Sequence, residues 1–239
     1  MIIFTKNPPT MKNLIFILLI TITFFSCNNN TKSTKISENL ELLAEENATT
    51  AEKIANANGY ENWKDVSEIA FTFNVNRNDN HFERSWIWKP KTNDVSMISA
   101  TDTTNYNRSK VDSLNMNIDA SFINDKYWLL APFQIVWDEG TSFSEKENVI
   151  APISKDTLNQ LTIVYKNDGG YTPGDAYDFF YDKNFKIREW NYRKGNAAEP
   201  SMTTTWEDYE NFNGLEISKT HKDTTSTFKL YFTNISVKK

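Results

Sequence analysis

Alternating apolar and polar positions run through much of the chain after residue 68 and predict β-strands. Between residues 69 and 75 every odd position is apolar and the even positions are small or polar, so one face of this strand is apolar. Residues 82–88 repeat the period, with Trp86 and Trp88 on one face, until Pro90 closes the strand. Further strands are predicted over residues 95–98, 161–166, 176–182, 186–193, 202–209, 214–221 and 226–237.

The last six of these strands follow one another at short intervals. Turn residues such as Gly214 separate them, and this spacing predicts an antiparallel meander. In the final strand the apolar residues change from one parity to the other. A β-bulge is therefore expected near Thr233-Asn234, where it would let the sheet curl.

A short helix is predicted before the first strand. Thr49 and Glu52 have the spacing of a capping box, and Asn58-Gly59 has the residues that end a helix. A helix of this length is stabilised mainly by packing on the rest of the fold. We therefore expect it to lie against the sheet.

A second helix is predicted from Asp119, which is expected to cap it, to Leu130. Pro132 should interrupt it, and the apolar residues 133–137 should follow as a turn. The segment is too apolar to be exposed and too short to cross a membrane, so it is expected to plug the sheet. Residues 101–117 show no period and are assigned to loop or strand fragments. The predicted fold class is α+β, mainly β, with a curved antiparallel sheet, a short N-terminal helix and a central helical plug.

The N-terminal part of the chain has the features of a targeting signal. Residues 14–25 form an apolar run behind Lys12 whose length fits the roughly 7–15 residues of a signal peptide and not the about 20 of a membrane span. Ser26 directly precedes Cys27, and this junction resembles the lipobox of bacterial lipoproteins, although Phe24 stands where an aliphatic residue is usual. The resemblance implies that Cys27 becomes a lipid-bearing N-terminus.

On this interpretation the chain has three parts. Residues 1–26 are a signal peptide, of which residues 1–10 lie upstream of a second start; residues 27–48 are the lipidated cysteine and a flexible tether; residues 49–239 are a single domain. Acyl chains such as palmitate on Cys27 would hold the protein on a membrane. No aspartate follows Cys27 to indicate retention at the inner membrane, so the expected location is the cell envelope, at the outer membrane facing the periplasm. The alternative is an ordinary secretory signal beside a free thiol.

Composition narrows the choice of partners. The chain has 239 residues, a single cysteine and a formal net charge of −5, and 14% of its residues are aromatic. The mild acidity, without a long basic run, argues against nucleic acid as a partner. Many aromatic residues favour sheets with large side chains on their faces. No cofactor is expected.

The order of elements and three short runs carry a resemblance to known proteins. The runs are NANGYENW at 56–63, YWLLAPF at 127–133 and PGDAYDFFYD at 173–182. In this order the chain resembles the LolA/LolB-like group of periplasmic lipoprotein carriers and, more narrowly, a family of bacterial lipoproteins with no assigned function. The resemblance covers residues 49–237. It implies a half-barrel, in which an incomplete antiparallel barrel wraps helices and its concave apolar interior holds acyl chains.

Aromatic side chains at alternating strand positions are the candidate ligand site. Together with the resemblance they imply a pocket for an acyl chain, a lipid or another apolar ligand, whereas aromatic residues at such positions taken alone more often form a filled core. The predicted pocket residues are Trp86, Trp88, Tyr127, Trp128, Phe179 and Trp190, with Tyr177, Tyr181 and Tyr192 beside them.

Catalytic chemistry has little support in the sequence. His81 and His221 are the only histidines, their spacing suits neither a metal nor a catalytic pair, and both are expected at the surface. No Gly-x-Ser-x-Gly elbow occurs, so a non-enzymatic protein without a metal site is expected. Asp168, Asp175 and Asp178 lie near three glycines, which is compatible with a Ca²⁺ site or a carboxylate pair but also with a long hairpin turn.

Three functions therefore remain open. The leading one is a membrane-anchored lipoprotein that binds an apolar ligand. The second is an accessory envelope lipoprotein that binds a protein partner. The third is a secreted carbohydrate-active hydrolase that uses the loop from Asp168 to Asp178.

Overall fold

The computed structural model of the protein describes residues 47–99, 101–167, 172–225 and 227–239. The predicted signal peptide, Cys27 and the tether up to residue 46 lie outside these residues, as does Asp168. The helices of the described part are α1 (Thr50–Ala57) and α2 (Met116–Trp137), with short 3₁₀ helices at Tyr60–Asp65, Arg108–Lys110 and Lys194–Asn196.

Twelve strands in the described part of the chain form two antiparallel sheets. They are β1 (Glu68–Arg77), β2 (Asn80–Lys89), β3 (Asp94–Ile98), β4 (Thr103–Asn107), β5 (Thr141–Ile150), β6 (Thr157–Tyr165), β7 (Ala176–Tyr181), β8 (Ile187–Arg193), β9 (Met202–Thr205), β10 (Glu207–Phe212), β11 (Leu215–Lys222) and β12 (Phe228–Lys238). The larger sheet has the order β10-β11-β12-β1-β2-β3-β4 and the smaller one β5-β6-β7-β8-β9. The sheets do not close into a barrel, and the predicted fold class, mainly β with few helices, is confirmed.

The chain crosses from the smaller sheet to the larger one at Trp206. The single meander predicted for the second half is therefore wrong in part, because β6 to β9 belong to one sheet and β10 to β12 to the other. The strand predicted over residues 202–209 is broken at this point. Trp206 is 1% exposed, its backbone N–H donates to the Arg188 carbonyl (2.7 Å), and Asp208 just beyond has a φ of +56°. A buried tryptophan thus marks the corner between the sheets.

The last strand pairs with the first and carries the predicted bulge. Ala70 pairs with Ser236 and Thr72 with Thr233, so β12 contains one extra residue over this interval. Asn234 lies in that interval with a φ of +53°. The bulge predicted near Thr233-Asn234 is confirmed, and a bulge of this kind increases the local twist of the strand.

Strand β5 is absent from the sequence prediction. It forms an edge of the smaller sheet, and every residue from 142 to 148 is exposed. Because neither face of these residues is buried, no apolar alternation marks the strand. Strand β4 lies in the segment assigned to loop or strand fragments, and it too is a sheet edge.

Helix α1 begins as predicted. The Glu52 backbone N–H donates to Thr49 Oγ1 (3.3 Å) and the Thr49 N–H donates to Glu52 Oε2 (2.7 Å), which confirms the capping box. After the helix, Gly59 has a φ of +86°, and a Cβ at this position would lie 2.0 Å from the Gly214 carbonyl oxygen. Only glycine allows this approach of the helix end to the β10–β11 turn.

Helix α2 differs from the prediction at its start. It begins at Met116 and not at Asp119, and its N-cap residue makes no side-chain hydrogen bond. Asp119 does not cap the helix but lies in its first turn, where its Oδ1 accepts hydrogen bonds from Arg108 Nε (2.8 Å) and Tyr106 Oη (3.0 Å). The acidic residue favours the helix start through the helix dipole and also joins it to β4.

The middle and end of α2 form the predicted plug. The backbone leaves helical geometry at Leu130 (φ −123°, ψ 20°), two residues before Pro132, which has no N–H to donate. The helix nevertheless resumes to Trp137, so the turn predicted over residues 133–137 is wrong. Every residue from 125 to 135 is buried, and the helix shares one hydrophobic core with both sheets.

A buried ion pair fixes α2 on strand β2. Asp125 is fully buried, and its two oxygens accept hydrogen bonds from Arg84 Nε (2.5 Å) and Nη2 (2.7 Å). The Trp86 indole N–H donates to the same carboxylate (2.8 Å). This contact sets which face of the first half of α2 is turned toward the smaller sheet.

Candidate functional site

A cavity of about 430 Å³ lies between the first half of α2 and strands β7 to β9. The helix supplies one wall, the strand aromatics supply the other, and Thr172 lies at the start of the segment leading to β7. None of the described lining residues carries a formal charge. They are Ala120, Ile123, Asn124, Tyr127, Trp128, Thr172, Tyr177, Trp190, Tyr192 and Met202. We call this space the aromatic cavity.

The walls of the aromatic cavity consist of aromatic rings in contact with one another, from the strands and from α2. Trp190 lies at the centre, with ring centroids 4.4 Å from Trp128 and 5.0 Å from Tyr177. Tyr177 in turn lies 4.8 Å from Tyr127 and 5.2 Å from Tyr192. Neighbouring rings at these distances hold one another in place, so the wall is preformed rather than assembled around a ligand.

Beside the cavity, the polar groups of the aromatic wall are bonded to one another. The Tyr127 and Tyr165 hydroxyls are 3.1 Å apart, and Tyr165 donates to Asp138 Oδ2 (2.8 Å). Gln134 donates to the other oxygen of Asp138 (2.8 Å). Burial is the main cause that raises the pKa of Tyr165 and that of Asp138, so the phenol stays neutral at physiological pH. The wall thus presents no phenolate charge to a ligand.

The predicted pocket residues fall into two groups. Tyr127, Trp128 and Trp190 line the aromatic cavity. Trp86 and Trp88 instead pack on Phe122 with ring centroids 5.3 and 5.7 Å away. Phe179, Trp86 and Trp88 do not border this cavity, since they lie deeper in the shared core. Of the three tyrosines predicted beside them, Tyr177 and Tyr192 line the cavity, and Tyr181 packs on Phe185 (5.6 Å).

The remaining lining residues could not be found from the sequence. Ala120, Asn124, Thr172 and Met202 are small, polar or isolated, and no periodic pattern singles them out. Ile123 belongs to the predicted helix, but its position at the cavity depends on how α2 is rotated on the sheets. That rotation is a tertiary property, set by contacts such as the one made by Asp125.

His221 is not at the surface as predicted but in the core. It is 0% exposed, its ring lies 4.4 Å from Trp206 and 5.3 Å from Trp128, and its Nδ1 is 3.2 Å from the Thr205 carbonyl. Burial lowers the pKa of His221 to about 3, so the ring is neutral at physiological pH. His81 is exposed as predicted, with Nδ1 2.7 Å from Asn76 Oδ1.

The carboxylates of the candidate hydrolase loop are used by the fold. Asp178 accepts hydrogen bonds from Arg193 (3.0 Å) and Thr162 (2.7 Å). Asp175 accepts from the Tyr192 hydroxyl (2.8 Å) and the Gly195 N–H (2.7 Å). Among the described residues no group of three or more His, Cys, Asp or Glu could hold a metal ion. Both aspartates thus serve as turn and strand contacts.

Comparison with known proteins gives similarity in fold only. No protein-family model matches the sequence, and no curated protein matches it either. Solved structures do. A DUF1329 family protein from Desulfovibrio piger is 11% identical, with a TM-score of 0.42 over 79% of this chain and 91% of that chain. An outer membrane lipoprotein-sorting protein domain from Vibrio parahaemolyticus is 11% identical, with a TM-score of 0.43 over 79% of this chain and 93% of that chain.

At this distance the likeness concerns the fold, and any functional conclusion has to come from the cavity of this chain. Within the part that the structure describes, no helix combines the length and the apolar character needed to cross a bilayer.

Proposed function

We propose that this protein is a membrane-anchored bacterial lipoprotein whose domain binds an apolar ligand, such as an acyl chain or a lipid, in the aromatic cavity, without enzymatic activity. The observation that carries the proposal is the cavity itself. Its volume of about 430 Å³ falls within the roughly 300–1,000 Å³ typical of ligand pockets, and no described lining residue carries a formal charge.

The energetics favour an apolar occupant. A chain that leaves water for this space gains about 25 cal/mol for each Å² of apolar surface buried. A charged group placed against the rings would lose its hydration. The described lining residues offer no opposite charge to compensate for that loss. Because the rings already contact one another at fixed distances, little side-chain entropy is lost on binding.

The anchor is proposed from the sequence. Cys27 follows a signal-like apolar run, and its lipidation would place the domain in the cell envelope, at the outer membrane facing the periplasm. A domain held beside a membrane by a tether meets acyl chains at high local concentration. The anchor and the cavity are therefore consistent with one role in lipid binding.

Native mass spectrometry tests the proposal. Residues 28–239, secreted through an ordinary signal peptide and purified from the periplasm without detergent, carry no lipid of their own. We expect one lipid molecule per protein, which extraction then identifies. Ala120→Trp places an indole at the cavity and should abolish the bound lipid. Asn117→Trp, on the same helix but outside the cavity lining, is the matched control and should keep it.

The contrary result is equally clear. A wild-type domain that is empty and also fails to bind added palmitate or phospholipid contradicts the proposal. The interpretation as an accessory lipoprotein with a protein partner would then replace it. Lipid retained equally by both tryptophan variants would place the binding site outside the aromatic cavity.

A further inference from the structure

A second cavity adjoins the aromatic cavity and has the opposite character. It is an open surface pocket of about 490 Å³ between the end of β1, the segment before β9 and the turn before β12. Met202 belongs to the walls of both cavities. Most other lining groups of the second cavity are polar, including Arg77, Ser201 and Thr224. We call it the polar cavity.

Arg77 is the basic residue of the polar cavity. Its guanidinium lies 5.4 Å from the centroid of the Phe228 ring, and no described carboxylate forms an ion pair with it. The Phe228 ring lies 6.4 Å from Trp128, which lines the aromatic cavity. Arg77, which is exposed, thus has no carboxylate partner among the described residues, and two rings, Phe228 and Trp128, lie between it and the apolar space.

The other polar groups leave a place for an acceptor. The carboxylate of Asp223, also in this cavity, is satisfied locally by the Thr225 hydroxyl (2.6 Å) and the Phe228 N–H (3.4 Å) rather than by Arg77. Ser201 Oγ accepts from the Lys194 N–H (3.2 Å), so its own hydrogen remains to be donated. Arginine and hydroxyl donors around one space favour a planar or tetrahedral oxyanion, which a guanidinium binds through two parallel hydrogen bonds.

We propose that the polar cavity binds the acidic head group, a carboxylate or a phosphate, of an amphiphile whose apolar chain occupies the aromatic cavity. This inference rests on the proposed function and adds the chemical class of the ligand. Arg77 binds the head group, Met202 contacts the junction between head and chain, and the chain lies along the ring wall. Asp223 in the same cavity disfavours an anion, so recognition of the head group depends on Arg77.

Calorimetric titration of residues 28–239 below the micelle concentration of each probe tests the inference. The probes are dodecanoate, dodecyl phosphate, neutral dodecanol and inorganic phosphate. Arg77→Gln should weaken binding of the two acidic amphiphiles about tenfold, the effect of losing a charged hydrogen bond. It should leave dodecanol binding unchanged. Lys64→Gln removes the same charge at an exposed residue that lines neither cavity, and should change nothing.

Each outcome separates the two proposals. If dodecanol binds wild type but dodecanoate and dodecyl phosphate bind Arg77→Gln as tightly as wild type, the proposed function stands and the head-group site is overturned. If no amphiphile binds wild type, the proposed function itself fails. If inorganic phosphate binds as tightly as dodecyl phosphate, the polar cavity is a free-anion site and the amphiphile inference is wrong. Circular dichroism melts of both variants confirm that they are folded.

Discussion

At the scale of single residues, the buried histidine makes the fold sensitive to acid. Burial holds the pKa of His221 at about 3, against 6.5 for an exposed ring. Above pH 6.5 both the folded and the unfolded states are neutral, and the group costs nothing. As the pH falls from 6.5 toward 3 only the unfolded state takes up the proton, so the free energy of unfolding drops by about 1.4 kcal/mol per pH unit.

We therefore expect His221→Gln to lose stability at pH 7 through poorer packing but to show a shallower decline between pH 6 and pH 4. Urea unfolding at each pH measures the slope, and the difference from wild type should approach about 1.4 kcal/mol per pH unit. His81→Gln, at the exposed histidine, is the matched control. An identical change of slope in both variants would contradict the assignment to His221.

Lys126 is the opposite case, a buried cation. Burial is the main cause that lowers its pKa to about 8, and its Nζ lies 5.2 Å over the Trp88 ring and 6.0 Å over Trp137. Below pH 8 the lysine is charged in both states, so the full desolvation cost is present. That cost disappears between pH 8 and 10.5 as the folded and then the unfolded lysine lose their protons.

We predict that Lys126→Met raises the free energy of unfolding at pH 7 by about 3 kcal/mol, the value that a pKa lowered from 10.5 to about 8 corresponds to. The gain should shrink toward zero as the pH approaches 10.5, which guanidinium unfolding at pH 7, 9 and 10.5 will show. Lys64→Met at an exposed lysine should change the stability by less than about 0.5 kcal/mol. A gain at Lys126 that does not depend on pH would mean that the cation carries no desolvation cost.

At the scale of elements, the packing of α2 on β2 depends on the Asp125 carboxylate. Asp125→Ala leaves Arg84 without its counter-charge and the Trp86 indole N–H without its acceptor. Removing one partner of a buried pair costs about 3–5 kcal/mol, and we expect a loss in this range from urea unfolding. Glu210→Ala, which breaks the exposed pair with Lys219, should cost less than about 1 kcal/mol. Equal losses would show that burial does not matter here.

Elements whose apolar residues face the core could be predicted from the sequence. The α1 capping box could be predicted from the spacing of its two polar residues. The plug and the bulge in β12 could be predicted because their apolar side chains have to be buried. Strand β5 could not be predicted because its residues are exposed on both faces and show no apolar alternation. The corner at Trp206 could not be predicted because the alternation of apolar and polar residues continues where the chain passes from one sheet to the other. The start of α2 was misplaced because Asp119 serves Arg108 and Tyr106 rather than the helix N-terminus.

At the scale of the whole molecule, the candidate site is a product of assembly. Large aromatic residues such as Tyr127 and Trp190 could be predicted as buried residues of the core or of a pocket wall, because exposing their rings to water is unfavourable. Which of them border empty space depends on how α2 is rotated on the sheets, and that rotation is set by contacts such as those of Asp125 with Arg84 and Trp86. Trp86 and Trp88 have the same pattern as the wall residues but face Phe122, so pattern alone does not separate pocket from core.

The anchor is the last property of the whole molecule that can be tested. If Cys27 is lipidated, metabolic labelling with palmitate should mark the wild-type protein and leave Cys27→Ala unlabelled, because no other cysteine is present. Each buried methylene contributes about 0.8 kcal/mol and one chain binds only marginally, so several chains are needed for stable attachment to the membrane fraction. Ser26→Ala keeps a small residue before the cysteine and should keep the label. An unlabelled wild-type protein cleaved at another position would instead establish an ordinary secretory signal, and the domain would then have to meet its ligand in solution.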